Sequence, residues 1–446
     1  MEEIEAAKKR CTTVIHRITN LPERTNITSS CKGTLLKLAQ SELSFLSRCH
    51  RNNFPLSTNI GHLEAVVHLL HHPLVTGVSR VCKPVPLSEN VHVDIICTFN
   101  KNPAWIVVSD RNPDYVFWVY DQSGRKGLKL RLEQILGAAA RCSQAMRPCS
   151  VILFFSRGIG GFVSEKMREE FGAREIGLEF GFFDFDCFGE EGLGGEWVNL
   201  VARPYGKACV LEIEVDCVRN LRSTGLDPAV MERRGDVNDE NLDDIDGFGR
   251  VISGLKLCSS MKDKAAGFSD SDDGDFINFD TTALIALVSG ISNGCAEKLL
   301  ATPQVDLIQR FKGNVEFVIG QVVMSEIQSP ILGELDSILS GKKGIICESV
   351  LSEFKELVSL CGGPNENLRA HRILRRLMVV PDNPSERMMG LPTTRKLALK
   401  NKVVFGTGDH WHAPTLTANM AFVRAVSQTG MPLFTIQHRP RALTGD

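Results

Sequence analysis

Four polar side chains in the second half of the chain follow hydrophobic stretches typical of buried β-strands. They are Asp280 after "FINF", Glu326 after "FVIGQVVMS", Asp409 after "VVFGTG" and Asn419 after "TLTA". Ligands of an open parallel sheet bind beyond the carboxyl ends of its strands, so side chains at these positions converge however far apart they lie in sequence. Carboxylate and amide oxygens suit the hard cations Mg²⁺ and Mn²⁺. The pattern predicts a cation site with the three acids as direct or water-mediated ligands and Asn419 as a further polar ligand.

Each acid also has a structural interpretation that requires no metal. Asp280 precedes "TTA", so it could be a helix N-cap, a role worth about 1 kcal/mol. Glu326 could be an ordinary acid on a helix surface. Asp409 lies in a Gly-Thr-Gly-Asp turn, where Asp often bonds to its own backbone. The sequence leaves both interpretations open.

The elements expected to position these residues alternate between strands and helices after residue 274. In order, they are strand Phe276–Phe279, helix Ala283–Leu300, strand Val315–Ile319, a helix near Val323–Leu339, an Arg-rich helix near Leu368–Met378, strand Val403–Phe405, strand "TLT", helix Met420–Thr429 and strand "MPLFTI". Such alternation predicts an α/β/α sandwich with a mainly parallel sheet.

The first half of the chain has a different pattern. Residues 1–75 show helical periodicity, and β-type runs begin at Val91, so we expect a helical segment followed by a second α/β domain. Further on, "DVNDENLDDID" carries six acids in eleven residues, a density at which like charges resist packing. The sequence therefore predicts an accessory domain over 1–217, a flexible acidic linker or insertion over 218–274, and a C-terminal domain over 275–446.

Three motifs of the C-terminal region form an ordered set. They are "FINFDTTAL", "VVMSEI", and "TGD" followed by "TLTANMAFVRAVSQTGMPLFTI". In this order they resemble the PIN-like nuclease superfamily over about the last 170 residues. The whole chain also resembles an uncharacterised eukaryotic family that has such a domain at its C-terminus and a domain of unknown function before it.

The resemblance implies Mg²⁺- or Mn²⁺-dependent hydrolysis of RNA phosphodiesters by Asp280, Glu326 and Asp409. The metal would lower the pKa of a bound water and neutralise charge on the phosphate. Asn419 departs from the family pattern, because PIN-like enzymes often carry an acid near this point and an amide holds a second cation less well. The alternative function is a catalytically silent PIN-like scaffold that binds RNA or protein partners.

The C-terminal region is basic. Residues 366–446 hold 12 Lys and Arg against 5 Asp and Glu. Arg369, Arg372 and Arg376 lie at helical spacing and are predicted to contact an RNA backbone, which would make binding strongly salt-dependent. The same arginines could instead pair with the acidic linker. His410 and His412 are additional candidates for binding metal or phosphate, although loop histidines are more often plain surface.

Composition narrows the class of protein. The chain has 446 residues, 43% hydrophobic content and a net charge of -2, which indicates a globular protein of two or three domains. No apolar run approaches the roughly 20 residues of a membrane helix, and the N-terminus lacks a signal-peptide core. We therefore expect an intracellular protein, cytoplasmic or nuclear, without a membrane partner. Its 14 Cys show no zinc or thioredoxin spacing.

The first domain has one glycine-rich motif, "SRGIGG". It could cradle a phosphate and support a small-molecule enzyme, but its spacing matches neither a dinucleotide fingerprint nor a P-loop. A tight turn is the simpler interpretation. For this domain we expect interaction with protein partners or presentation of substrate.

Overall fold

The structure is a computed structural model that describes residues 2–48, 59–85, 91–119, 127–178, 205–215, 247–256, 276–311 and 314–446. The chain divides into two compact units. The first consists of Met1–Thr224 with Val426–Leu433, and the second of Gly225–Ala425 with Phe434–Asp446. The domain boundaries expected near residues 217 and 274 lie outside the described residues.

The first unit contains five α-helices and a mixed sheet among its described residues. The helices are Glu2–Thr19, Ser29–Arg48, Ile60–His71, Leu128–Arg141 and Gly161–Phe171. The strands are β1 (Val75–Pro84), β2 (His92–Phe99), β3 (Asn102–Ser109), β4 (Ser150–Phe155), β5 (Arg174–Glu175) and β6 (Cys209–Glu214). They are arranged in the order β1-β2-β3-β4-β6-β5, and the β3–β4 pair is parallel.

Both faces of this sheet are buried. Along β3, Ile106 packs with one core cluster that includes the N-terminal helices, and Trp105 packs with a second cluster that includes helix Leu128–Arg141. The alternation follows from the two-residue period of a strand. Burial of each large apolar side chain stabilises the fold by about 1.5–3 kcal/mol. Because helices pack on both faces of the sheet, this unit is a helix-sheet-helix sandwich with a core on each side.

The second unit contains an all-parallel sheet among its described residues. Its strands are β7 (Phe276–Phe279), β8 (Lys343–Cys347), β9 (Met378–Val380), β10 (Thr415–Thr417) and β11 (Thr435–Gln437). They are arranged in the order β11-β10-β7-β8-β9. The mixed α/β fold with a parallel C-terminal sheet flanked by helices is thus confirmed.

Helices connect these strands. They are Thr281–Val288, Ala296–Ala301, Gln304–Phe311, Val315–Phe317, Met324–Gln328, Ile331–Leu339, Glu348–Cys361, Pro364–Arg376, Glu386–Met389, Leu399–His410 and Met420–Gln428, with π-helical turns at Ile291–Cys295 and Val318–Val323. A further helix, Gly247–Gly254, lies in the expected linker and packs against Ile331–Leu339. The second unit therefore begins before residue 275.

Two predicted strands are wrong. Val315–Ile319 forms the short helix Val315–Phe317 and the start of a π-helical turn, and Val403–Phe405 lies inside helix Leu399–His410. Both are short apolar runs, in which periodicity cannot separate a strand from a buried helix. The predicted helix Ala283–Leu300 is also interrupted, because Asn293 and Gly294 have non-helical backbone angles.

The run Thr281–Ala301 is long and apolar enough to pass a simple test for a membrane-crossing helix. Its most apolar window is 67% buried inside the protein. Core helices of globular domains pass the same test, so this run is accounted for as the core of the second unit.

Candidate functional site at the carboxyl edge of the C-terminal sheet

The topology of the C-terminal sheet identifies one point where ligands of such folds bind. β7 lies at the centre and pairs with β8 on one side and β10 on the other. The chain proceeds from β7 to β8 and β9, then returns to β10 and β11 on the opposite side. The switch point between β7 and β10 is where open parallel sheets form a crevice beyond their carboxyl ends.

Asp280 lies at this switch point. It is the N-cap of helix Thr281–Val288, and its Oδ1 accepts hydrogen bonds from Ala283 N at 2.8 Å and Thr282 Oγ1 at 2.6 Å. Its Oδ2 accepts a hydrogen bond from Thr417 Oγ1 at the end of β10. One carboxylate therefore caps a helix and also joins the two strands at the switch point.

Thr282 and His438 complete this polar cluster. Thr282 Oγ1 accepts a hydrogen bond from Ala418 N at 2.8 Å and lies 3.5 Å from His438 Nε2. Burial raises the pKa of Asp280, against the effect of its hydrogen bonds from Thr282 and Thr417. Burial also lowers the pKa of His438 to about 4, so this imidazole is neutral near pH 7 and provides no positive charge to the cluster.

Glu326 lies in a different environment. It is on helix Met324–Gln328, not after a strand, and its carboxylate accepts a hydrogen bond from Arg441 Nε at 2.8 Å. A second Arg441 nitrogen bonds to the same oxygen, and the Arg441 side chain is fully buried. Glu326 Oε1 also accepts from Ile331 N, at 3.1 Å, at the start of the next helix. These contacts make Glu326 a junction between two helices and the end of the chain.

Asp409 lies near the end of helix Leu399–His410 and forms a bidentate ion pair. Its carboxylate accepts hydrogen bonds from Arg387, whose Nε is 2.7 Å from Oδ2, and from Ser385 Oγ. Burial would raise the pKa of Asp409, but the Arg387 guanidinium and the Ser385 hydroxyl more than offset this effect and lower the pKa. The ion pair joins helix Leu399–His410 to helix Glu386–Met389.

The three acids do not form a common cation site. Among the described residues, which include all three, Asp280, Glu326 and Asp409 are not in a group whose ligand oxygens lie within 4.8 Å of one another. Glu326 and Asp409 already neutralise arginines, and Asp280 is only 5% exposed. A site for Mg²⁺ needs oxygens with free lone pairs and room for several waters. This arrangement does not fit a carboxylate site for one or two such ions.

The remaining candidates also make local contacts. Asn419 Oδ1 accepts a hydrogen bond from Phe422 N at 3.2 Å, as a cap of helix Met420–Gln428. His410 Nε2 is 3.0 Å from Asn383 Nδ2, and His412 lies beyond the helix with φ at 50°. The two histidines therefore lie at a helix end and in the turn that follows it.

The three arginines predicted to contact RNA, Arg369, Arg372 and Arg376, form a stripe whose members make different contacts. Arg369 donates to Val288 O and to Asp446, each at 2.8 Å. The guanidinium of Arg372 lies 5.5 Å from the ring centroid of Phe248. Arg372 and Arg375 remain exposed on helix Pro364–Arg376, whereas Arg376 is half-buried. Arg369 therefore serves the fold, and only part of the stripe faces solvent.

The C-terminal segment, residues 439–446, explains several of these contacts. Arg439 donates to Ser325, Ser329 and Glu334. Buried Glu366 accepts hydrogen bonds from the backbone of Gly290, Gly363, Thr444 and Gly445 and from the Thr444 hydroxyl. The segment thus connects helices that are far apart in sequence, and it is the partner of two residues that had been expected to act on RNA.

Sequence reasoning missed three polar residues beside the switch point. Thr281 Oγ1 donates to Glu353 at 2.9 Å, and Glu353 pairs with Lys400, whose side chain is 62% exposed. Glu353 and Lys400 lie inside helices, away from strand ends. Position relative to a strand, the signal that found Asp280, could not have identified them.

The geometry defines an all-parallel α/β domain whose switch point is closed by hydrogen bonds. In comparison with known families, residues 277–446 match the model of a family described as Protein of unknown function (DUF1308). The matched region begins within β7 and includes the other four strands of this sheet. No solved structure matches the chain.

Proposed function

We propose that the C-terminal unit is a PIN-like domain that binds RNA through phosphate contacts and does not hydrolyse it. The observation that carries the proposal is the use of the acids: each of the three predicted catalytic carboxylates is held by arginine, hydroxyl or backbone donors. A hydrolytic metal would have to displace these partners. The arrangement therefore favours the scaffold function over the nuclease function.

The cations for such binding lie near the carboxyl edge. Lys400 is connected to this edge through Glu353 and Thr281. Arg395 and Lys396 are exposed in the loop that precedes helix Leu399–His410. Within the part of the chain that the structure describes, neither side chain has a hydrogen bond or an ion pair.

A buried lysine organises this loop. Lys402 is 2% exposed, and its ammonium donates to Leu391 O at 2.7 Å and Met389 O at 3.0 Å. A buried charge persists only when its hydrogen bonds are satisfied. Lys402 therefore fixes the start of the loop that presents Arg395 and Lys396. Because the loop is already ordered, it loses less conformational entropy when RNA binds.

The test is binding of fluorescently labelled single-stranded RNA to the full-length chain across a series of salt concentrations. We expect affinity to fall steeply with salt, because phosphate binding releases counterions. Arg395→Glu with Lys396→Glu should weaken binding and reduce the slope of log K against log salt by about 1.4, for two lost phosphate contacts on a single strand. Lys8→Glu with Lys9→Glu makes the same charge change in the first unit and should leave the slope unchanged.

The hydrolysis question is answered in the same samples. With Mg²⁺ or Mn²⁺ present, we expect the bound RNA to remain intact. RNA cleavage that requires the metal and is lost in Asp280→Asn would overturn the proposal in favour of the nuclease. Failure of the wild-type chain to bind RNA, or an equal loss of affinity in both charge-reversed variants, would overturn it as well.

A further inference from the structure

The first unit contains a second polar cluster that the proposed function does not use. His62 Nε2 lies 3.0 Å from Asp94 Oδ1, and the Cys82 thiol faces both. The ligand atoms of these three residues all lie within 4.8 Å of one another. In the described residues, no other group of three or more His, Cys, Asp or Glu side chains meets this criterion.

Three separate elements hold the cluster. His62 is in the first turn of helix Ile60–His71, Cys82 is on β1 and Asp94 is on β2. Lys83 pairs with Val93 in the antiparallel β1–β2 ladder, which places Cys82 opposite Asp94. Cross-strand neighbours of this kind share one face of a sheet. The cluster is therefore fixed by helix and strand backbone and not by a loop.

The backbone at Cys82 is strained. Its φ is 45°, in the left-handed region that non-glycine residues seldom adopt inside a strand. Such conformations are energetically unfavourable and collect at functional sites. No hydrogen bond from the Cys82 thiol to another described residue compensates this strain.

We propose that His62, Cys82 and Asp94 bind a zinc ion, with a water molecule as the fourth ligand. Imidazole nitrogen, thiolate sulfur and carboxylate oxygen together select Zn²⁺ over the hard cations Mg²⁺ and Ca²⁺. Zinc–ligand bonds of about 2.0–2.3 Å place neighbouring ligands of a tetrahedral site roughly 3.3–3.8 Å apart. The His62–Asp94 distance of 3.0 Å would lengthen slightly on binding, and the distances to the Cys82 sulfur, which are at most 4.8 Å, need only a small adjustment.

The surroundings agree with a three-ligand site. Asp94 is 1% exposed, and its Oδ2 accepts a hydrogen bond from Val108 N at 2.7 Å. This bond fixes the orientation of the carboxylate, and carboxylates that bind metals are commonly held by such a hydrogen bond. His62 is partly exposed, with 33% of its side chain accessible, and provides a route to solvent. Zinc binding would release the thiol proton of Cys82, because the thiolate is the ligand.

Metal content and cobalt spectroscopy of the full-length chain test this proposal. After purification with Zn²⁺ and removal of loose metal by dialysis, we expect about one zinc per chain. Replacement by Co²⁺ should give the intense visible bands of a tetrahedral ion and a thiolate-to-cobalt charge-transfer band, because one ligand is sulfur. The charge-transfer band reports on the cysteine directly and does not depend on any activity.

Cys82→Ser should abolish the charge-transfer band, and His62→Gln should lower zinc content several-fold. Cys361→Ser and His371→Gln are matched controls, because both residues are exposed in the second unit, and they should retain full zinc. Circular dichroism of every variant confirms folding, and the half-exposed His62 provides a variant that folds if Cys82→Ser does not. Absence of bound zinc in the wild type, or unchanged zinc in both site variants, would overturn the proposal.

Discussion

Two polar clusters among the described residues, one in each unit, differ in how completely their ligand atoms are hydrogen-bonded. Asp280 accepts bonds from Thr282, Ala283 and Thr417. The cluster of His62, Cys82 and Asp94 includes a thiol that makes no hydrogen bond to a described residue. Buried polar groups are normally satisfied. In the first unit, Asp94 and His62 are also hydrogen-bonded, and the Cys82 sulfur is the ligand atom that remains unengaged by described residues. The comparison teaches that one unengaged ligand atom, held beside two others by a helix and two strands, separates a candidate binding site from an acid that only stabilises the fold.

The largest expected effect tests the structural role of Glu326, whose buried carboxylate is hydrogen-bonded to Arg441. Arg441→Ala leaves Glu326 buried without its counter-charge and should destabilise the second unit by about 3–5 kcal/mol. Hydrogen exchange of peptides from residues 276–446 measures this loss by region. The control is Glu334→Gln, which breaks the more exposed pair with Arg439 and should cost about 1 kcal/mol or less.

A double variant sharpens this prediction. Replacement of Glu326 and Arg441 together by Met removes both charges and should recover most of the loss, because apolar replacement of a buried ion pair is often neutral. If Arg441→Ala is harmless, or if the double variant is as unstable as the single one, the assignment of this pair to fold stability fails.

Zinc provides the next largest effect, in the other cluster. At about 100 times its dissociation constant, Zn²⁺ should stabilise the first unit by about 2.7 kcal/mol, since it binds the folded state. We expect slower hydrogen exchange in peptides that contain helix Ile60–His71 and no change in Cys82→Ser. Equal protection in the variant would show that the ion binds elsewhere.

Truncation of Asp280 should have a smaller effect. Asp280→Ala removes the N-cap of helix Thr281–Val288 and should cost about 0.5–2 kcal/mol in the second unit. Asp280→Asn keeps an acceptor for Ala283 N and should cost less. Thermal unfolding of both variants checks the order of their stabilities. A larger loss of stability in Asp280→Asn than in Asp280→Ala would contradict the capping role.

The smallest effect is one of pH. The pKa of Asp280 is raised from its ordinary value of 3.8 by burial, so its contribution to stability is complete below pH 3.8 and is lost as the pH rises through the folded-state pKa. The pKa of Asp409 is lowered, so its contribution is present above pH 3.8 and is lost as the pH falls through the folded-state pKa. We therefore expect the free energy of unfolding to depend less on pH in Asp280→Asn than in the wild type. In Asp409→Asn, the free energy of unfolding should fall mainly near neutral pH. Unfolding curves measured from acid to neutral pH check both expectations.

The sequence predicted what is local and missed what depends on tertiary packing. The N-cap at Asp280 could be predicted, because its partner Ala283 is three residues away. The pair between Glu326 and Arg441 spans 115 residues, and nothing in either local pattern indicates it. The α/β alternation predicted the class of fold, but two short helical stretches, Val315–Ile319 and Val403–Phe405, read as strands because periodicity cannot separate the two over so few residues.

The zinc cluster was not predictable for a related reason. Its residues come from a helix and two strands, and their spacing matches no metal-binding motif. The pairing register of β1 and β2 brings Cys82 and Asp94 together, and that register is a property of the folded sheet. Only the packing of helix Ile60–His71 then adds His62.

The C-terminal segment has a consequence for biosynthesis. Residues 439–446 supply Arg439, Arg441 and Thr444 to partners on helices that lie 114, 115 and 78 residues earlier in the chain. Until these residues leave the ribosome, Glu326 lacks its arginine and Glu366 lacks the donors of Thr444 and Gly445. A nascent chain that has not yet released residues 439–446 therefore presents the C-terminal unit to chaperones and proteases with these contacts unmade.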